Sequence, residues 1–130
     1  MVNSLEQLEN FVRFLHAVQR VKRVARRPDE KERTNTAEHT FMIAMTCWYI
    51  ADANKLKLDY QKILKYALAH DVIEAYSGDT HAYDTEGQKT KAAREAEALE
   101  RIEREFPEFP ELAHTIHEYE ERATPEARFV

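Results

Sequence analysis

An all-α bundle of five to six helices is what this sequence predicts, on three observations. Only two glycines and four prolines punctuate 130 residues, too few for the many tight turns of a β-sandwich or barrel. Apolar residues recur at three- and four-residue spacing along most of the chain. Helix-start signals stand ahead of those runs, at Ser4, Asn35, Asp59 and Thr124.

The first helix follows Ser4, with Gln7 completing a capping box, and carries Leu5, Leu8, Phe11, Val12, Leu15, Val18 and Val21 as one apolar stripe. Pro28 disfavours helical geometry in the residue before it, so this helix is expected to end near Arg26 and Arg27. Residues 28–33 are polar and read as a loop. The second helix starts at Asn35 or Thr36, where Asn35 and Glu38 have capping-box spacing, and runs through Trp48 to Ile50. It is apolar nearly all round, which predicts the buried centre of the bundle. Asp59 caps a third helix bearing Ile63, Leu64, Ala67, Leu68 and Val72, with His70, Asp71 and Glu74 at its C-terminal end and Gly78 as a left-handed stop. A loop over 80–87 leads to a long charged helix over 88–106, with Ala92, Ala96, Leu99, Ile102 and Phe106 facing inward. Pro110 opens another helix, with Leu112, Ile116 and Tyr119 inward. Thr124-Pro125-Glu126 has the cap, first-position proline and acid of one more helix start. The turn and a half from there to Val130 is too short to be stable alone, so further chain or a partner is expected to pack against it.

The totals bound the function. Apolar residues make up 43% and charged residues 33%, a globular balance that fits one domain over 1–130. A formal net charge of −5 offers no broad basic face for a nucleic-acid polymer. One basic cluster, Arg20, Lys22, Arg23, Arg26 and Arg27, either grips a phosphate-bearing ligand or is the solvated end of a helix. Cys47, the single cysteine, sits in an apolar run and reads as a buried inert thiol. The N-terminus lacks the pattern of a signal peptide, and the longest apolar stretch, interrupted by Thr46 and Asp52, is too short for a bilayer. The expected location is the cytoplasm, with no membrane partner.

The chemistry concentrates in His39, the doublet His70-Asp71, and Glu74. Imidazole and carboxylate together suit divalent Mn, Fe, Co, Zn or Mg. Neighbours on a helix point about 100° apart, so His70 and Asp71 share one ion only if it sits over the helix end and another helix closes the shell. His39 is placed to do that. Glu74, three and four residues after the doublet, shares its face and is positioned for acid–base work on water. Asp79 adds a carboxylate at the same mouth. Several carboxylates at a helix C-terminus, which already disfavours negative charge, call for a cation. His16, His81, His114 and His117 read as surface or packing residues.

The segments Asn35-Thr36-Ala37-Glu38-His39, Ala69-His70-Asp71-Val72-Ile73-Glu74 and Ser77-Gly78-Asp79 resemble the HD-domain superfamily of metal-dependent phosphohydrolases, and within it the branch of small 5′-deoxynucleotidases. The resemblance implies an all-helical bundle, commonly a homodimer, holding one divalent ion with His39, His70 and Asp71. It implies Glu74 as the catalytic carboxylate and Asp79 as the acid that positions water or sugar. It also implies Arg26 on the substrate phosphate. Arg27 stands where the nucleotidase branch tends to have an aromatic residue, which bears on sugar, base and phosphate number. The family's fourth ligand, an aspartate on the helix begun by Thr124-Pro125, would fall past Val130, so the chain reads as an HD domain truncated before that ligand. The implied activity is hydrolysis of deoxyribonucleoside 5′-monophosphates. A nucleoside triphosphate (pyro)phosphohydrolase and a non-catalytic helical module are the alternatives.

Overall fold

The computed structural model describes residues 4–24, 31, 33–80 and 83–130. They form seven helical segments: α1 (Leu5–Arg20), α2 (Thr36–Ala53), α3 (Tyr60–Ala69), α4 (Glu74–Ser77), α5 (Thr85–Glu105), α6 (Pro110–Glu121) and α7 (Pro125–Phe129). Five are long and two span only about a turn. No strand forms among the described residues beyond an isolated antiparallel bridge between Lys22 and Asn35.

The capping signals act as their chemistry requires. Ser4 Oγ accepts from Gln7 N at 3.1 Å. Asn35 Oδ1 accepts from Glu38 N at 2.9 Å while its amide donates back to the Glu38 carboxylate at 2.7 Å. Asp59 Oδ1 accepts from Gln61 N and Lys62 N, and Thr124 Oγ1 accepts from Ala127 N. Each satisfies an N–H that a helix start leaves without an intrahelical partner.

Several boundaries differ from expectation. α1 stops at Arg20, where Val21 turns extended. The chain then pairs with the approach to α2: Arg23 N donates to Thr34 O at 2.8 Å and Thr36 N to Val21 O at 2.9 Å. Backbone pairing across the connection therefore ends the helix well before Pro28, which lies outside the described residues. α3 stops at Ala69 rather than running through Glu74. Tight i→i−3 bonds carry the chain through 70–73, including Val72 N to Ala69 O and Glu74 N to Asp71 O. α5 starts at Thr85, three residues early, because Asp84 caps it through Gly87 N at 2.9 Å. A Cβ on Gly87 would lie 2.4 Å from the Asp84 carboxylate, so this cap needs glycine there. Gly78 does take positive φ, but at φ 75 and ψ 168 it is extended rather than left-handed helical, a conformation that essentially only glycine occupies.

α3 lies between α2, α6 and α7, and α4 bridges α1 and α5. The main core joins Phe14 and Val18 of α1 to Val72 and Ile73, Ile102 and Phe106, and Leu112 and Ile116. The inward side of α5 is Glu95, Ala98 and Ile102, while Ala92 and Ala96 are exposed. The expected stripe holds at Leu99, Ile102 and Phe106, which pack on the core, and departs only in the N-terminal half, where Arg94 turns inward to hold the α4–α5 connection. In α1 the inward side is Phe14 and Val18, whereas Leu5, Leu8, Val12 and Leu15 remain exposed. α2 departs most. Its small residues Ala44, Cys47 and Ala51 face the core, which lets α3 approach closely, and Phe41, Met42, Trp48 and Tyr49 stay outside. An all-round apolar helix carries no signal for which face a neighbour takes.

α7 finds its packing within the chain. Ala127 is fully buried, and Phe129 and Val130 lie against the Cys47, Ala51 and Ile63 cluster. The Tyr66 hydroxyl meets both Glu118 and Thr124, tying α3 to α6 and to the α7 cap. Cys47 is buried, and burial pushes its thiol pKa up, as for an inert core cysteine. No described helix is long and apolar enough to cross a membrane.

Candidate metal centre

The site forms where the first turn of α2 meets the tight turns after α3. His39 projects from α2, one turn past the Asn35 cap. His70 and Asp71 occupy the turn that ends α3. Adjacent residues can converge there because the chain has left regular helical geometry. His70 Nε2 stands 3.1 Å from Asp71 Oδ2, and His39 Nε2 stands 3.8 Å from the same oxygen. One ligand atom from each of the three residues lies within 4.8 Å of the others.

The two separations to Asp71 Oδ2 fit donors to one divalent ion. Two donors each roughly 2.1 Å from a metal stand about 3–4 Å apart at tetrahedral to octahedral angles. His70 Nδ1 meets Ala67 O at 2.7 Å, which fixes the ring with Nε2 toward Asp71. A backbone carbonyl on the far ring nitrogen is the usual way a ligating histidine is oriented.

The electrostatics favour ligation at Asp71 and His39, while the Asp71 carboxylate holds a proton on His70 that an ion would have to displace. Burial raises the Asp71 pKa, but the hydrogen bond and charge of His70, with His39 and Arg23 nearby, outweigh it, and the net shift is downward. Burial disfavours the charged His70 ring, yet the Asp71 carboxylate overcomes it and the net shift is upward. His39 moves down, through burial first and then the charge of Arg23. A neutral His39 beside an ionised Asp71 is the protonation state that ligation needs.

Glu74 opens α4 on the same mouth. Its Oε2 accepts from Thr36 Oγ1 at 2.8 Å, and Thr36 is fully buried and also within 3.4 Å of Val21 O. Burial and the neighbouring Asp71 charge push the Glu74 pKa to about 7, against the lowering effect of the Thr36 hydroxyl. A carboxyl poised near neutrality is suited to general acid–base work. Thr36→Val removes the one hydroxyl that favours the charged form. The acid limb of the pH–activity profile is then expected to move to higher pH, and stability to fall by about 1–3 kcal/mol from the unpaired group. A pH–rate series with a urea titration reads both. An acid limb that stayed in place would deny Thr36 this role.

Asp79 sits across the mouth with Oδ2 accepting from Val24 N at 2.8 Å. It thus fastens the extended segment that carries Arg23, whose guanidinium reaches Asp71 Oδ2 at 3.8 Å. Arg94 holds the connection behind Asp79 by donating to Ser77 O, Thr80 Oγ1 and Gly87 O. Tyr119 forms another wall, its ring 5.5 Å from that of His70, with the Arg122 guanidinium 5.1 Å over its face.

The structure therefore brings together His39, His70, Asp71, Glu74 and Asp79. Arg26, Arg27 and His81 lie outside the described residues. Among the described members of the basic cluster, Arg23 faces the site, and the sequence gave no means of choosing it over its neighbours. Thr36 was legible only as a helix cap. Its bond to a carboxylate 38 positions away had no local signal. His16, His114 and His117 contact Gln19, Glu118 and Glu121 on helix surfaces, away from the site.

An all-helical bundle with a histidine from one helix and a His-Asp doublet from the next is the architecture of the HD domain. The HD-domain family model matches residues 15–130, and the chain belongs to that family. It is similar to the 5′-deoxynucleotidase HDDC2 of Danio rerio, with 26% identity over 129 residues covering 95% of this chain and 63% of the relative. Among solved structures it is similar to a predicted metal-dependent phosphohydrolase from Magnetospirillum magnetotacticum MS-1, with a TM-score of 0.79 and 27% identity over 95% of this chain and 64% of the other. A Pyrococcus horikoshii OT3 protein matches with a TM-score of 0.69 and 27% identity, covering 97% of this chain and 69% of that one. A conserved hypothetical protein from Pyrococcus furiosus shares the fold at a TM-score of 0.71 and 22% identity, covering 93% and 72%. The chain spans less than two thirds of the length of the Danio rerio and Magnetospirillum proteins.

Proposed function

We propose that this chain carries the catalytic centre of a metal-dependent phosphohydrolase that cleaves nucleotide phosphoesters, with deoxyribonucleoside 5′-monophosphates as the preferred substrates. The observation that carries the reading is the convergence of three ligand atoms within 4.8 Å beside a carboxyl raised to about 7. The similarity to a 5′-deoxynucleotidase supports the substrate class.

In this reading His39, His70 and Asp71 hold the ion, drawn from Mn, Co, Fe, Zn or Mg. When bound, it supplies positive charge to the phosphoryl oxygens and acidifies water. Glu74 takes the proton from the attacking water, held at the right angle by Thr36. Asp79 positions the extended segment at residues 21–24 and the sugar side of the substrate. Arg23, beside Asp71, neutralises phosphoryl oxygens, and the resemblance adds Arg26 and Arg27 as substrate-binding residues. The partner is a small nucleotide, not a nucleic-acid polymer, and the working unit is a cytoplasmic homodimer.

The test is phosphate release from a panel of deoxy- and ribonucleoside 5′-monophosphates with each ion in turn. Free phosphate from the deoxy series, abolished by chelator, supports the reading. Pyrophosphate or triphosphate released from nucleoside triphosphates would favour the second reading, to which the inward-facing Arg23 also lends support. Ion and nucleotide binding with no turnover on any substrate would make this chain a non-catalytic HD module.

A further inference from the structure

α4 and the turn after it carry two of the carboxylates at the metal centre, yet little in them fixes their own shape. α4 is a single turn with no side-chain cap and no buried residue, and one turn of helix is not stable by itself. Gly78, between Ser77 and Asp79, stands at φ 75 and ψ 168, where only the permissive backbone of glycine goes. The placement of Asp79 therefore depends on support from outside the turn.

Arg94 of α5 supplies that support. Its Nη1 donates to Ser77 O at 2.8 Å, on one side of Gly78-Asp79, and its Nη2 donates to Thr80 Oγ1 at 2.9 Å, on the other. The same guanidinium is tied to its own helix, through Nη2 to Gly87 O at 2.9 Å and Nε to Thr90 Oγ1 at 3.2 Å. A planar guanidinium presents its donors as a rigid fork, so gripping both sides at once fixes how far apart Ser77 and Thr80 stand. Asp79, inside this bracket, accepts from Val24 N at 2.8 Å. The residue before Val24 is Arg23, whose guanidinium lies 3.8 Å from Asp71 Oδ2. We propose that Arg94 is a positioning residue for substrate capture: by bracketing Asp79 it holds the 21–24 segment so that Arg23 faces the phosphoryl group at the metal centre. The proposal rests on the phosphohydrolase reading above and adds to it a residue that acts only through others.

Amide hydrogen exchange tests the support, and nucleotide binding tests its purpose. Arg94→Met keeps most of the side-chain length and loses the fork. The Val24 amide is expected to exchange at least about tenfold faster in this variant. The Phe106 amide, bonded to Ile102 O on α5, should keep its parent rate, whereas a general loss of stability would speed both alike. Arg94→Lys keeps the charge but not the fork, and should behave like Arg94→Met. Thr80→Val removes one acceptor of the fork and disturbs the fold least; it should give a smaller change in the same direction. Binding of deoxyadenosine 5′-monophosphate to the ion-loaded chain is then measured by calorimetry in the Glu74→Gln background, where the nucleotide is not consumed. Arg94→Met should weaken binding by about 10- to 100-fold, the scale of a misplacement near 1 Å in an orienting group. Arg23→Ala should weaken it comparably, and the double substitution no more than Arg23→Ala alone, because both act through one contact. Effects that multiply would overturn the proposal, as would an unchanged Val24 rate or an affinity that Arg94→Met leaves in place; none of these touches the phosphohydrolase reading. Nucleotide bound by neither the Glu74→Gln protein nor its variants would overturn the proposal and that reading together.

Discussion

Glu74→Gln is expected to abolish turnover while leaving the ion bound. Glutamine keeps the shape of the side chain and an oxygen for Thr36 Oγ1, now 2.8 Å from the carboxylate, but cannot accept a proton from water. Loss of a positioned general base costs about 100- to 10,000-fold in rate, and metal analysis of the same sample should still give one ion per chain. Undiminished phosphate release would remove Glu74 from the mechanism. The variant has a second consequence, in stability. In the metal-free protein Glu74 holds its proton up to about pH 7, against an ordinary value of 4.5. Between those values the folded state binds more protons than the unfolded state, so stability falls as pH rises through that window and stays lower above it. At ~1.4 kcal/mol per unit, and discounting for the solvent that still reaches the carboxyl, the loss is about 1–2 kcal/mol. Glutamine does not ionise. Chelator-treated Glu74→Gln should therefore be more stable than the parent at pH 8 by about that amount and no more stable at pH 4. Urea titrations at the two pH values measure it. Equal stabilities at pH 8 would mean that Glu74 is not held protonated.

Asp71→Ala is expected to remove the ion altogether. Asp71 Oδ2 is the atom on which the site converges, at 3.1 Å from His70, 3.8 Å from His39 and 3.8 Å from Arg23. Without it two imidazoles and a guanidinium face one another with no anion between them. The His70 pKa loses the Asp71 hydrogen bond and charge and falls, because burial is then opposed only by the Ala67 and Tyr66 backbone carbonyls. Bound ion should drop from one per chain to none after desalting. Affinity should fall by more than about 100-fold, the upper range for losing only a supporting contact to a ligand. Phosphate release falls with it and is not restored by added Mn or Co at concentrations that saturate the parent. A variant that kept its ion would place the ligands elsewhere.

The sequence by itself determined the helical class, most of the helix starts and the residues that converge at the candidate metal centre. Each of these is a short-range property. A cap such as Asn35 with Glu38 or Thr124 with Ala127 is settled within four residues, and His70-Asp71 with Glu74 declares its chemistry within five. Only the tertiary structure decided which faces are buried. The periodicity of α1 and the all-round apolar character of α2 are compatible with several rotations. α3 packing on Ala44, Cys47 and Ala51 selected the one that leaves Phe41 and Trp48 outside. The end of α1 was likewise a long-range matter, set by the pairing of Lys22 with Asn35 and by the grip of Asp79 on Val24 N. That grip, across 55 positions, is also what turned one arginine of a basic cluster toward Asp71. No local pattern specifies it, because the energy of a hydrogen bond to a distant partner exists only after the bundle has closed.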